Sequence, residues 1–340
     1  MEYQTTLFPI LAYTSNSGQL GHRIMRFLNL VAISKRFGIN VIYPPFAVYL
    51  KYFKAGLNSE CLYYFPNQAS DVQEHLKSHL TKFLLSAGPQ GAQRAAVLQA
   101  RLPAKRELFE LIDREHPALD DEAEQSLFIS DHWQFFTAKV KEDPSQSTSC
   151  KMIDSALVPE GDFDRIQSPS FLQNASLLLM DFADFYCSSI DPEGDLALAR
   201  RLFAPTDRYA ERIARRAHMM RSDCDVVVGV HIRWGDFREW QDGRYFFPIE
   251  EYLRLMREAL EHFSGKKVLF LVACNEALSA DVFKPFDVVM APGHIIDDLY
   301  LLAECDCTIG TTSGYHWWAA NYRGIPSFSL TERGQRLVFL

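Results

Sequence analysis

The sequence predicts an α/β protein built on doubly wound parallel sheets, and three observations point there. Between about 225 and 330, β-branched apolar runs alternate with amphipathic ones. The first fifty residues begin the same alternation. The 340 residues, at about 150 per domain, suffice for two such domains. Hydrophobic residues make up 48% and charged residues 23%, the balance of an ordinary globular chain. A core of this size needs no metal or disulfide staple.

Taken in order, TLFPILAYT reads as a strand and Ser15-Asn16-Ser17-Gly18 as a turn. Leu20, Ile24, Phe27, Leu28, Val31 and Phe37 form the apolar stripe of a long helix that Gly38 ends, and INVIYPPF is the next strand. From about 46 to 125 the pattern blurs into helices and loops. SLFISDHWQFF (126–136) and SLLLMDFADF (176–185) read as later strands of the same unit. A basic, Pro-interrupted helical connector covers 195–222, which divides the chain into domains 1–205 and 206–340.

In the second domain DVVVGVHIR (225–233) reads as a buried central strand. PIEEYLRLMREALEHF is a helix with Leu253, Met256, Leu260 and Phe263 on one face and Glu250 before Arg254 at i, i+4. KKVLFLVA, FDVVMA, CDCTIG and IPSFSL supply further strands. ALSADVF, DDLYLLAEC and GYHWWAANYRG supply helices, the last closed by Gly324. Ligands of such sheets sit beyond the carboxyl ends of the strands.

The formal net charge is −8. It argues against a nucleic-acid binder, which needs a basic face, but not against a small phosphorylated ligand. The seven cysteines are odd in number and several lie in apolar runs, which fits reduced thiols in a cytoplasmic protein. Cys305 and Cys307 would point the same way on a strand, as small core residues. The N-terminus lacks a basic, signal-like segment, and no apolar run of about 18 residues spans a membrane; peripheral membrane association is left open. Asn174-Ala175-Ser176 is a sequon by spacing alone. Asp223-Cys224-Asp225 resembles a metal-binding D-x-D but precedes a strand, so it reads as a surface turn.

The strongest chemical signal is His231-Ile232-Arg233-Trp234-Gly235-Asp236, at the end of the best strand. Residues i and i+2 share a face, so His231 and Arg233 act together. An Arg guanidinium forks onto phosphate oxygens, and Gly235 lets the backbone pass close to a ligand. The plainer reading is an Arg233–Asp236 pair beside a satisfied core histidine; the combination at a strand end favours ligand binding. A second signal is Thr308 to His316, a hydroxyl- and glycine-rich strand-to-helix turn that lacks a Walker lysine. The Trp317-Trp318 pair after it reads as core packing. A third is Asp297-Asp298 at a helix start, which alone reads as a pair of caps, although a carboxylate there can accept two N–H donors from a guanine edge.

Together these segments resemble the fucosyltransferase superfamily of alpha-1,2-, alpha-1,6- and protein O-fucosyltransferases. SGQLGHRIMRFLNLVAISKRFGINVIYPPF is similar to the family's G-x-x-G-N segment, VVVGVHIRWGDF to its H-x-R-x-G-D motif, and DDLYLLAECDCTIGTTSGYHWWAA to the third motif of the alpha-1,2 enzymes. Residues 46–175 add no support. The resemblance implies a GT-B fold: two Rossmann-like domains facing a cleft, an acceptor-side domain and a GDP-sugar-binding one. It implies an inverting, metal-independent enzyme of glycan biosynthesis, with GDP-fucose as donor and a glycan or other hydroxyl acceptor, and no required cofactor. By motif position Arg233 would bind the β-phosphate, His231 the nucleotide and Asp298 the guanine edge. Ser313, Gly314 and Tyr315 would cradle the pyrophosphate, and Asn275 would line the same cleft.

Displacement also needs the acceptor hydroxyl deprotonated. The candidates are Asp236, His22, Glu239 and Asp131, with Asp236 and His22 placed beside Arg233 as the catalytic set. The chain departs from the family at His22, where Asn is usual, at Trp234, where the alpha-1,2 enzymes carry a second Arg, and at Ser313-Gly314-Tyr315-His316, where they carry S-T-F-S. Trp234 adds a face that could stack on a sugar, as do Trp133, Phe135, Phe136, Tyr186 and Trp240. These departures point away from standard alpha-1,2 activity more than from GDP-sugar binding. They leave two alternatives: a non-catalytic nucleotide-sugar-binding protein, and a transferase with another GDP-hexose donor.

Overall fold

A computed structural model describes residues 10–13, 15, 18–58, 63–64, 150–153, 158–166, 177–180 and 185–339. The chain forms two compact units. One comprises Met1–Ser17, Phe27–Lys51 and Ala55–Asp195, the other Gly18–Arg26, Tyr52–Lys54 and Leu196–Leu340. The expected strand at 126–136, with Asp131, Trp133, Phe135 and Phe136, lies outside the described residues, as does the sequon at Asn174.

The first unit holds β1 (Ile10–Tyr13), β2 (Asn40–Ile42), β3 (Tyr63–Tyr64), β4 (Cys150–Ile153) and β5 (Leu177–Met180), in the order β3-β2-β1-β5-β4. β1 runs parallel to both neighbours, with Ile10 opposite Asn40 and Leu177. The edge strand β3 is antiparallel to β2, a departure from the all-parallel expectation that is common at the edges of mixed sheets. Helix α1 (Leu20–Phe37) buries Leu20, Ile24, Phe27, Leu30 and Val31, while Leu28 and Phe37 flank that stripe half-buried. Gly38 stops the helix at φ +65°, a conformation that a Cβ disfavours.

The second unit contains most of α2 (Pro192–Leu202), then α3 (Asp207–Met220), β6 (Val226–Ile232), α4 (Ile249–His262), β7 (Val268–Cys274) and β8 (Val288–Met290). α5 (Ile295–Ala303), β9 (Cys307–Thr311), α6 (Gly314–Arg323) and β10 (Ser327–Leu330) complete it. Its sheet is parallel throughout, in the order β10-β9-β6-β7-β8. From β6 the chain winds one way through β7 and β8, then returns to β9 and β10 on the other side. The winding therefore reverses between β6 and β9, and a doubly wound sheet opens its ligand crevice at that point.

β6 is buried on both faces, as its unbroken apolar run demands. Val226, Val228, Val230 and Ile232 join the core under α4. Gly229, on the opposite face, meets Leu302 of α5. Each fully buried Val or Ile here contributes about 1.5–3 kcal/mol.

Several local expectations need correction. α4 buries Tyr252, Leu255, Met256 and Ala259, whereas Leu260 is 40% exposed, so the buried stripe is turned from the expected one. Arg254 clamps Glu251 and Glu258 rather than Glu250. Cys305 lies in the turn after α5 and only Cys307 is on β9, so the two thiols do not share a strand face. Asp223 and Asp225 do form a surface turn, tied to Lys267. No helix among the described residues is long and apolar enough to cross a membrane.

Candidate donor site at the switch point

β6 delivers His231 and, just past its end, Arg233 to the crevice. Strand alternation puts both on the face shared with Gly229. His231 is 4% exposed, and its Nδ1 is buried without a hydrogen-bond partner. Its ring stacks on Tyr315 at 5.1 Å and beside His316 at 6.2 Å. Burial, with His316 and Arg233 nearby, holds the His231 pKa well below the ordinary value, so the ring is neutral at pH 7. Burial also lowers His316 to about 4, and its Nε2 is bonded to the Thr308 hydroxyl at 3.0 Å.

Arg233 carries the pairing that the plainer sequence reading foresaw. Its Nη2 lies 2.8 and 2.9 Å from the two carboxylate oxygens of Asp236. Asp236 is 55% exposed at its side chain against 12% for Arg233. The cation is thus largely desolvated while its counter-ion is solvent-exposed, an arrangement in which an incoming anion can replace the carboxylate.

The loop after β6 is held by β7. Asn275 accepts the Trp234 N–H at 2.7 Å, and Glu276 accepts the Gly235 N–H at 2.8 Å. Gly235 adopts φ +50°, and a Cβ there would lie 2.8 Å from the Asn275 amide nitrogen. Asn275 therefore shapes the loop that carries Arg233. Trp234 does not present an open sugar-stacking face. It packs against the core, donates its indole N–H to the Phe247 carbonyl at 2.8 Å and has the Arg238 guanidinium over its ring. Trp240 is 43% exposed and stacks on Phe237, while Tyr186, 55% exposed, lies in the first unit.

β9 delivers the other side of the crevice. Ser313 caps α6, its hydroxyl accepting the His316 N–H at 3.2 Å. The N–H groups of Gly314 and Tyr315 open the helix and have no acceptor within it, which gives this end partial positive charge. Trp318 is fully buried, as expected of core, but Trp317 is 36% exposed. The start of α1 belongs to this unit and crosses here. A Cβ on Gly21 would lie 2.2 Å from the Tyr315 backbone nitrogen, and one on Gly314 would lie 2.7 Å from the His22 nitrogen. The G-x-x-G spacing is thus a steric requirement. It brings His22, exposed at its side chain, beside the α6 N-terminus.

α5 begins at the same edge. Tyr315 donates its hydroxyl to the Ile295 carbonyl at 2.7 Å, joining α6 to α5. The N-cap of α5 is His294 and not an aspartate. Asp297 is ion-paired to Arg212 at 2.5 and 2.7 Å, and Asp298 accepts the Gly293 N–H at 3.0 Å. Burial pushes Asp297 up, but His294 and Arg212 outweigh it and hold the carboxyl below its usual range. Asp298 lacks such a cation; burial, with the Asp297 charge adding to it, raises it to about 6.

The candidate site residues that the structure describes thus fall in the second unit, around the ends of β6, β7 and β9 and the starts of α1, α5 and α6. Glu239 is exposed on the β6 loop. Sequence reasoning missed Arg212, Glu276 and His294. Arg212 has no signal, being one of several arginines on a basic helix. His294 could have been found as a capping side chain before the acidic first turn. Among the described residues, no cluster of three His, Cys, Asp or Glu side chains could hold a metal.

Residues 200–334 match the family model for glycosyl transferase family 11. The segment is that of a glycosyltransferase. It contains the site from β6 to α6, and the chain as a whole shares its fold with a solved plant enzyme. That structure is a mutant of Arabidopsis thaliana FUT1 in complex with GDP, with 12% identity, a TM-score of 0.52, and 96% of this chain and 71% of that chain covered. NodZ alpha-1,6-fucosyltransferase soaked with GDP-fucose aligns at 15% identity and TM-score 0.49 over 98% and 99% of the two chains. NodZ is also solved from Bradyrhizobium. POFUT1 in complex with GDP-fucose aligns at 11% identity and TM-score 0.48 over 95% and 96%. No curated protein matches the chain significantly.

Proposed function

We propose that this protein transfers fucose from GDP-fucose to a hydroxyl acceptor, with inversion and without a metal ion. The reading rests above all on one observation: a fixed arginine and a helix N-terminus flank the switch point of a family 11 sheet.

In this reading the diphosphate takes the place of Asp236 on Arg233 and meets the Gly314 and Tyr315 N–H groups. The bond between the sugar C1 and the β-phosphate oxygen breaks, and its electron pair stays on that oxygen. Arg233 and the dipole of α6 stabilise the charge that develops there, the task a cation performs in other transferases. The acceptor oxygen bonds to C1 from the opposite face, and its proton passes to a base. Asp236, displaced from Arg233, and His22, beside the α6 N-terminus, are the two candidates. Neutral His231 donates or accepts at Nδ1 without adding charge, and ionised Asp298 takes the two donors of the guanine edge.

Product analysis tests the proposal. Purified protein is incubated with GDP-fucose, GDP-mannose or UDP-galactose and a glycan panel, with and without EDTA. Fucosylated product from GDP-fucose alone, insensitive to EDTA and of inverted anomeric configuration, supports it. Turnover of another donor in preference, or GDP binding with no transfer to any acceptor, contradicts it.

A further inference from the structure

The start of α5 is held by a stack of side chains that the transfer chemistry does not use. Arg212 of α3 forks onto both oxygens of Asp297. Its guanidinium lies 4.9 Å over the Tyr209 ring, one turn earlier. Tyr209 in turn stacks on His294 at 5.4 Å and 14°, and Tyr52 packs edge-on against both rings. His294 closes the loop: Nδ1 accepts the Ile296 and Asp297 N–H groups and lies 3.0 Å from an Asp297 oxygen. Asp297 is buried at its side chain, whereas Arg212 is 31% exposed. A buried carboxylate without its cation is costly, so this fork decides whether the first turn of α5 holds its shape. Asp298 is the next residue.

We propose that Arg212 is a positioning residue for nucleotide-base recognition: by clamping and neutralising Asp297, it fixes the first turn of α5 and keeps Asp298 aimed and charged for a guanine edge. The proposal rests on the GDP-sugar reading above. Asp298 faces the Gly293 N–H, the Asp297 carboxylate, the His294 imidazole and the Tyr315 phenol. Among the described residues of this group, Arg212 is the cation that pairs with Asp297. Removing Arg212 leaves an uncompensated charge beside Asp298, which then protonates at higher pH.

The test is calorimetric titration of GDP between pH 5 and 8 into the full-length wild type, Arg212→Met, Arg212→Lys and Asp297→Asn. Wild-type affinity is expected to fall as pH drops through about 6. Arg212→Met should weaken GDP about tenfold at pH 7 and move the midpoint of that fall upward by about half a pH unit. Arg212→Lys, which keeps the charge but loses the fork, should restore the midpoint and part of the affinity. Asp297→Asn should move the midpoint downward, and it serves should Arg212→Met not fold. Affinity lost equally at all pH values overturns the proposal, since a merely structural role would do that. An unchanged midpoint in Asp297→Asn overturns it as well. If these variants bind as wild type does, the donor reading stands and this proposal falls. If the wild type itself does not bind GDP, both fall.

Discussion

In the first unit Asp164 gathers the Ser188 N–H at 2.9 Å, the Ser188 hydroxyl at 2.5 Å and the Arg36 guanidinium. Lys35 sits between Asp191 and Asp195 there, and the Ser189 hydroxyl closes on Asp195. These groups answer one another. At the switch point of the second sheet the polar groups are arranged differently. His231 Nδ1 is buried with no partner, Arg233 is matched by an exposed carboxylate, and burial raises the Asp298 carboxyl to about 6. Buried polar groups are ordinarily satisfied, and Asn40 Nδ2 in the first unit is also buried without a hydrogen-bond partner. What distinguishes the switch point is that its unmatched nitrogen lies two residues from a largely desolvated arginine at a strand end. The difference separates polar side chains that hold the fold from those proposed above to meet the donor.

Changes at the switch point should strike function first. Arg233→Ala is expected to reduce transfer by about 10²- to 10³-fold, while circular dichroism and the melting temperature stay near wild type. A variant that keeps its rate would erase the distinction between the regions. Gly21→Ala comes next. No Cβ fits 2.2 Å from a backbone nitrogen, so the variant must part the α1 start from α6. It is expected to lose about 1–3 kcal/mol of stability together with most GDP affinity, by thermal melt and titration. Gly38→Ala has open space around it and should cost only about 1 kcal/mol through its positive φ, with activity intact.

Acid offers a third contrast. His231 and His316 have pKa values lowered by burial, so the unfolded chain binds more protons between the folded and ordinary histidine values. Stability contributed by these two groups is full above about pH 6.5 and is lost as pH falls toward 4. Asp298 works the other way, since its raised pKa favours the fold as it protonates below 6. Two groups against one should leave a net loss, which His316→Asn should reduce in chemical denaturation at pH 5. Ion pairs of the first unit should affect stability without touching donor binding. Asp164→Ala should cost about 1–3 kcal/mol and leave the GDP dissociation constant unchanged.

Much of the second unit was legible in the sequence because its strands are buried on both faces. VVVGVHI and VLFLVAC are runs that only a central parallel strand accommodates. Strand ends then locate ligand loops, so His231, Arg233 and the turn that holds Ser313 could be named from position, whereas Asn275 entered only through the motif resemblance. The helix face of α4 was misread because Tyr252 and Ala259 fill the buried stripe, and neither announces itself as core by hydrophobicity. The structural roles of Trp234 and Arg212 were illegible for a different reason. Trp234 looks like a ligand platform until its indole N–H is seen on the Phe247 carbonyl, and Arg212 pairs with a residue 85 positions away. No local pattern encodes such a pairing.

The central claim is that the switch point of the second sheet is a guanosine diphosphate site, and titration of GDP and UDP into the wild type and Asp298→Asn tests it most directly. The account predicts that GDP binds the wild type and raises its melting temperature, that UDP does neither, and that Asp298→Asn loses the preference for GDP. Equal binding of GDP and UDP by the wild type, or an undiminished preference in Asp298→Asn, would contradict it.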